Sequence, residues 1–168
     1  MKLLVFSDSH GNETALFNTI RRYKKDVQTI FFCGDGHEDI ETMQKRFSEK
    51  KFYIVRGNCD WCCDHPLLLT VTVAGKKILL THGHAQRVKS GLEHLIMLGH
   101  QEQADIVLFG HTHQQLTTAD SRMLICNPGS VGFNEEYTLI DIDEATGCIT
   151  ATEYPNNQYG SVIIRPFP

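Results

Sequence analysis

Five short polar segments in this chain hold residue types that bind metal ions. They are Asp8-Ser9-His10, Gly34-Asp35, Gly57-Asn58, His82-Gly83-His84 and Gly110-His111-Thr112-His113. Neutral imidazole is the commonest protein metal ligand, and carboxylates suit the harder divalent ions. Taken singly, each segment has a plain reading: Asp8 as a turn residue, Asn58 as a loop amide, His82 as a satisfied core histidine, His111 and His113 as polar loop residues. Taken together, Asp8, Asp35, Asn58, His10, His82, His111 and His113 supply two carboxylates, one amide and four imidazoles, with no thiolate. That is more than one four-coordinate structural zinc needs. It suits two ions of the manganese, iron or zinc kind, octahedral or nearly so, with water completing the shells. A carboxylate can bridge two cations, and ions roughly 3.5–4 Å apart can clamp a phosphate and generate hydroxide. Nine histidines in 168 residues is the compositional oddity, and they neighbour glycine or carboxylates more often than core residues.

Each segment follows an apolar run that reads as a strand. Residues 2–7 lead into Asp8, Val27–Cys33 into Gly34-Asp35, and Phe52–Val55 into Gly57-Asn58. Asn12 is placed to cap a helix carrying Ala15, Leu16, Thr19, Ile20 and Tyr23 on one face, and a second helix is expected from Glu38 to Glu49. Strand, polar loop and helix in repetition is the signature of a sheet with crossover helices. The pattern then changes to a hairpin, Leu67–Val73 and Lys76–Thr81 about Ala74-Gly75, whose second strand runs into His82. A helix over Val88–Gln101 and a strand over Asp105–Phe109 follow, the latter ending at Gly110. If the backbone stays extended beyond it, His111 and His113 face the same way, because extended chain repeats with period two. The remainder reads as mostly β: Met123–Cys126, Tyr137–Asp143, Cys148–Tyr154, and a last edge strand within Gly160–Pro168, ended by its prolines. Loops beyond the carboxyl ends of like-directed strands share one crevice, where α/β proteins bind ligands. The expected architecture is one α/β domain over 1–168, a four-layer sandwich of two mixed β-sheets flanked by helices.

Bulk properties bound the partners. Apolar content of 41% and charged content of 21% describe an ordinary globular chain. Net charge is −4 with no long basic run, so a nucleic-acid platform is not expected. The opening Met-Lys-Leu-Leu-Val-Phe is short for a signal peptide, and no run has the length of a transmembrane helix. A cytoplasmic protein with six reduced cysteines and no membrane partner is therefore expected.

The ordered motifs Asp-x-His, Gly-Asp, Gly-Asn, a histidine after a strand and Gly-His-x-His resemble those of the calcineurin-like metallophosphoesterases. The compact length and the form Gly57-Asn58-Cys59-Asp60 resemble the small YfcE-type phosphodiesterases of that family. The resemblance spans Lys2 to Val131. It implies that Asp8, His10 and His113 hold one ion, that Asn58, His82 and His111 hold a second, and that Asp35 bridges them. The implied cofactor is a pair of divalent ions, Mn2+ first, with Fe, Zn or Ni as alternatives. The implied activity is hydrolysis of a small phosphoester, most simply a phosphodiester, by a water activated between the ions, with Asp35, Asn58 and His82 in the catalytic set. A retromer subunit resembles the same fold, so a non-catalytic interaction scaffold is the alternative; that reading expects lost ligands, and here all seven positions are filled.

One departure concerns leaving-group chemistry. Many members have Gly-Asn-His, with the histidine assisting the leaving group; here Cys59 stands in its place. A neutral thiol is a poorer proton donor and cannot hold an imidazolium charge. Greater dependence on the ions and on a good leaving group is expected, with Asp60 and His84 as substitute acids or as groups that orient ligands. Cys59-x-x-Cys62 is formally a redox or half-zinc spacing, but there is no second such pair and an incidental role is the simpler reading. Trp61 reads as a substrate wall or as a contact in a dimer or tetramer. His37 sits where it could tune Asp35, while His65, His94 and His100 read as surface or core residues. Asn127-Pro128-Gly129-Ser130 reads as a turn shaping a loop near the site.

Overall fold

The computed structural model describes residues 1–121, 123–155 and 161–164. In its first half the elements are β1 (Lys2–Phe6), α1 (Glu13–Arg22), β2 (Thr29–Phe32), α2 (His37–Arg46), β3 (Lys51–Ile54), β4 (Leu68–Val73) and β5 (Lys76–Thr81). There follow α3 (Glu93–Gln101), β6 (Ile106–Leu108), β7 (Gln115–Asp120), β8 (Met123–Pro128), α4 (Val131–Asn134), β9 (Tyr137–Ile142), β10 (Ile149–Tyr154) and β11 (Val162–Ile164).

Two sheets result. One has the order β11-β10-β9-β1-β2-β3, with β1, β2 and β3 parallel and the other strands antiparallel to their neighbours. The other has the order β4-β5-β6-β8-β7, with β5, β6 and β8 parallel and β4 and β7 antiparallel at the edges. Period-two alternation along each strand explains why the sheets stack. Leu3, Val5, Phe31 and Cys33 of the first sheet meet Ile78, Leu80, Ile106, Leu108, Leu124 and Cys126 of the second, forming the inner core. Their neighbours in sequence face outward: Leu4, Phe6, Ile30 and Phe32 pack with α1 and α2, and Leu79, Val107, Phe109 and Ile125 pack with Leu95 of α3. Both sheets are buried on two faces, and this is why their central strands read as continuous apolar runs. The expected four-layer arrangement is therefore present.

Local signals act where the chain placed them. Asn12 caps α1, its Oδ1 accepting the Ala15 N–H at 3.1 Å. Ala74 and Gly75 both have positive φ, 50° and 73°, the two-residue turn that matches strand twist. Other expectations are corrected. The helix expected from Val88 begins only at Glu93, because Gly83–Ser90 closes into tight turns, with the Gln86 and Val88 N–H groups bonded to Gly83 O. The edge strand β7 and the one-turn α4 were not foreseen. The last strand is confined to Val162–Ile164 at the sheet edge, and Gly160 and the prolines at 166 and 168 lie outside the described residues.

Candidate metal centre

The five polar segments meet across the sandwich. Asp8–His10, Asp35 and Asn58 follow the parallel strands β1, β2 and β3 of one sheet, and His82 and His111–His113 follow β5 and β6 of the other. The end of β8 joins them. Asn127 Nδ2 donates to Gly110 O at 3.0 Å and to Thr112 Oγ1 at 2.9 Å, holding the loop that carries both histidines.

Three groups of ligand-type atoms form among the described residues, and two of them draw on both sheets. The first is Asp8, His10 and His113, the second Asp35, His82 and His111, with the donor atoms of each lying within 4.8 Å of one another. In the first, Asp8 Oδ1 is 3.1 Å from His113 Nε2 and 3.7 Å from His10 Nε2, and the two imidazole nitrogens are 3.3 Å apart. Asp8 is fully buried; its Oδ2 takes the Ser7 hydroxyl and the His111 N–H, whereas Oδ1 makes no hydrogen bond, His113 being close but outside bonding geometry. In the second, His82 Nε2 is 3.3 Å from Asp35 Oδ2 and 3.1 Å from Asn58 Oδ1, while Nδ1 lies 2.7 Å from Cys33 O. That carbonyl accepts an Nδ1–H, which turns Nε2 toward the site. Asp35 also falls within 4.8 Å of His10 and Cys59, so it lies between the groups.

The backbone here is unusual. Asp8, His10, Asp35, His111 and His113 all have left-handed φ, between 45° and 70°. The chain is not extended through His111 and His113: it bends there, and the two imidazoles enter different groups, as the family resemblance implies. Non-glycine residues in this region cost roughly 1–2 kcal/mol each, and such strain clusters at functional sites.

Asp60 ties two of the loops together. Its Oδ2 accepts the N–H groups of Asp35 (2.8 Å) and Gly57 (2.7 Å), and its Oδ1 those of Gly36 (2.8 Å) and His37 (3.0 Å). His37 Nδ1 also lies 3.3 Å from Asp60 Oδ1, so His37 faces Asp60 rather than the ligand groups. The loops cross so closely that a Cβ at Gly57 would sit 2.0 Å from Asp35 Oδ1, which is why the Gly-Asn pair begins with glycine. A second carboxylate, Asp39 of α2, takes the Ser9 hydroxyl at 2.6 Å and the Gly11 N–H at 2.8 Å, fixing the loop after β1. Of the two roles read for Asp60, substitute acid or group that orients ligands, its contacts fit the second. Its partners on the Asp35 loop, like those of Asp39, are not visible in spacing because the loops are far apart in sequence.

Electrostatics follow from this packing. Burial raises the Asp8 pKa despite His82, Ser7 and His113. For Asp35 burial acts the same way, but the His82 hydrogen bond and charge and the Cys59 N–H outweigh it and hold the carboxyl well below the usual range. Asp60 is likewise lowered, its four backbone N–H donors overcoming burial. Burial, then His82, lowers His111 to about 4, so its imidazole is neutral and able to ligate at neutral pH. Burial and Asp35 push the Cys59 thiol up. Cys59 is exposed at the rim with Asn58 Nδ2 3.3 Å from its sulfur, and Cys62 is also a free, exposed thiol. His84 joins neither group; its ring lies 5.4 Å from His82 and its buried Nδ1 has no partner. His65 and His100 pair with Glu41 and Asp120, away from the site. No helix among the described residues is long and apolar enough to cross a membrane.

The family model of the calcineurin-like phosphoesterase superfamily domain matches residues 1–145, and the chain belongs to that family. It is 29% identical over 163 residues to the probable metallophosphoesterase YsnB of Bacillus subtilis, covering 94% of each chain. It is 28% identical over 170 residues to the phosphodiesterase YfcE of Escherichia coli, covering 85% of this chain and 89% of that one. Among solved structures, a conserved uncharacterized protein of Streptococcus pneumoniae TIGR4 superposes with a TM-score of 0.82 at 25% identity, covering 98% and 97% of the two chains. Vps29 of Entamoeba histolytica in complex with zinc shares the fold, with a TM-score of 0.75 at 22% identity over 99% and 98%.

Proposed function

We propose that this chain is a dinuclear metal-dependent phosphodiesterase acting on a small organic phosphate ester, and that 1–168 works as one domain. The observation that carries the reading is that carboxylate, amide and imidazole ligand atoms from loops far apart in sequence converge at one rim of the sandwich. Asp8 Oδ1 is buried and unpartnered, two Nε2 atoms face each other at 3.3 Å, and His82 Nε2 faces two oxygens. Cations at those points satisfy the donors, and the set of oxygen and imidazole groups without thiolate suits Mn2+, with Fe, Zn or Ni as alternatives. In this reading Asp8, His10 and His113 hold one ion, Asn58, His82 and His111 the other, and Asp35 bridges. Bound divalent ions supply charge that polarises phosphoryl oxygens and makes water a usable nucleophile at neutral pH.

The chain's own groups do the rest. Asp60 holds the Asp35 and Gly57 backbones so that Asp35 and Asn58 keep their aim. Cys59, neutral at pH 7, offers the rim a weak hydrogen bond rather than a ready proton, which favours esters with good leaving groups. The names of YsnB and YfcE support the reaction class. A cytoplasmic setting and a dimer or tetramer, with exposed Trp61 as a contact, complete the proposal.

The test strips the purified chain with a chelator, restores Mn2+, Zn2+ or Ni2+, and follows bis(p-nitrophenyl) phosphate and p-nitrophenyl phosphate. Turnover should return with the ion and be faster on the diester. Asp35→Asn should lower it by more than roughly 100-fold and weaken binding of both ions. An ion-loaded chain that turns over neither ester would instead fit the interaction scaffold.

A further inference from the structure

Phe133 is an apolar side chain left open beside the candidate metal centre. Two thirds of its surface is exposed, 66%, although its backbone is pinned. Ser130 Oγ accepts the Phe133 N–H at 3.2 Å and donates to Asp8 O at 2.8 Å. The N–H groups of Val131 and Gly132 donate to Ser7 O and Asp8 O, each at 3.1 Å. Gly132 packs so tightly on this loop that a Cβ would sit 2.2 Å from Ser9 O. The segment that presents the ring is therefore fixed to the loop that carries Asp8 and His10. The Phe133 ring centroid lies 5.3 Å from that of His10 and 5.3 Å from that of His113, inclined by 30° and 40°.

A ring serving only to pack these imidazoles would be expected to bury most of its area, as Phe6, Phe31, Phe32 and Phe109 do. Phe133 instead keeps most of its surface open on a rigid support, which is the arrangement a stacking platform needs: little conformational freedom is lost when a flat partner covers it. In the phosphoesterase reading the phosphate would sit on the ions, and the open ring stands beside two of the imidazoles that would hold one of them.

We propose that Phe133 is a substrate-recognition residue whose open ring receives the planar group, aryl or nucleobase, of the phosphoester. This rests on the phosphoesterase reading above. The test uses the Mn2+-loaded full chain and measures the Kd of adenosine 5′-monophosphate and of ribose 5-phosphate, which share the phosphate and differ by the base. The wild type should bind the nucleotide about tenfold more tightly, the scale of one base stacked on an aromatic ring. Phe133→Ala should bring the ratio near one with its metal content retained, and Phe133→Trp should keep the preference. A wild type that binds both ligands equally, or a Phe133→Ala chain that keeps the full preference, overturns the proposal and leaves the phosphoesterase reading standing. Loss of metal in Phe133→Ala overturns it in favour of simple support for His10 and His113. A metal-loaded wild type that binds neither ligand counts against the phosphoesterase reading itself.

Discussion

Asp8 shows how one buried atom can oppose folding and serve a site. Its Oδ2 is satisfied by Ser7 and His111, but Oδ1 has lost water and gained no hydrogen bond. In the ion-free protein that carboxylate is a net cost, and the raised pKa states the same fact. For a group raised in the folded state, stability present below the unfolded value of 3.8 is lost as pH rises through the folded value. Asp8→Asn removes that loss: the amide oxygen can keep Ser7 and His111, and no unpaired carboxylate charge stays buried. Urea unfolding of the ion-free variant at pH 7 should show it more stable than the wild type by about 1 kcal/mol. Added Mn2+ should stabilise it by only about half as much as the wild type, through the group of Asp35, His82 and His111. A less stable ion-free variant would mean that Asp8 has a partner within the protein.

At the scale of elements, Asp60 and the loops it joins give the opposite sign in the same assay. Its carboxylate accepts four backbone N–H groups, from Asp35, Gly36, His37 and Gly57, and an amide offers one oxygen for them. Asp60→Asn should destabilise the ion-free protein by roughly 2–3 kcal/mol. Because the folded pKa is lowered, this contribution is present above 3.8 and is lost as pH falls through the folded value. The wild type should therefore lose stability steeply below about pH 4, and the Asn variant less so; equal acid limbs would remove Asp60 from the account. The clamp also marks where sequence reading stops. Alternating or continuous apolar runs such as Leu3–Phe6 and Ile106–Phe109, the Asn12 cap and the Ala74-Gly75 turn were legible because each signal is local. Strand β7, Gln-Leu-Thr-Thr-Ala-Asp, was not, since an edge strand buries little and carries no apolar run. Helix α4 is too short to show a period, so Phe133 passed unnoticed. The chemistry-bearing types at 8, 10, 35, 58, 82, 111 and 113 were readable in order, whereas the bend between His111 and His113 belongs to contacts with Asn127 near the end of β8.

Across the whole molecule, the two sheets meet through a dry interior of Leu3, Val5, Phe31, Leu80 and Leu108, and through the polar groups at one rim. Two ligand groups take members from both sheets: Asp8 and His10 from one with His113 from the other, and Asp35 from one with His82 and His111 from the other. An ion in either group therefore bridges the sandwich and is lost when the sheets part, so ion binding and global unfolding are coupled. Mn2+ at about 100 times its Kd should add roughly 3 kcal/mol per site. For a chain of this size that is a Tm rise of about 6–12 °C per site, reversed by a chelator. His113→Ala removes the second sheet's contribution to one group and leaves the other intact. Its ion-induced rise should fall to about half, while Leu80→Ala should lower Tm with and without the ion and leave the rise itself in place. A His113→Ala chain that keeps the full rise would confine that ion to the β1 loop and uncouple it from the union of the sheets.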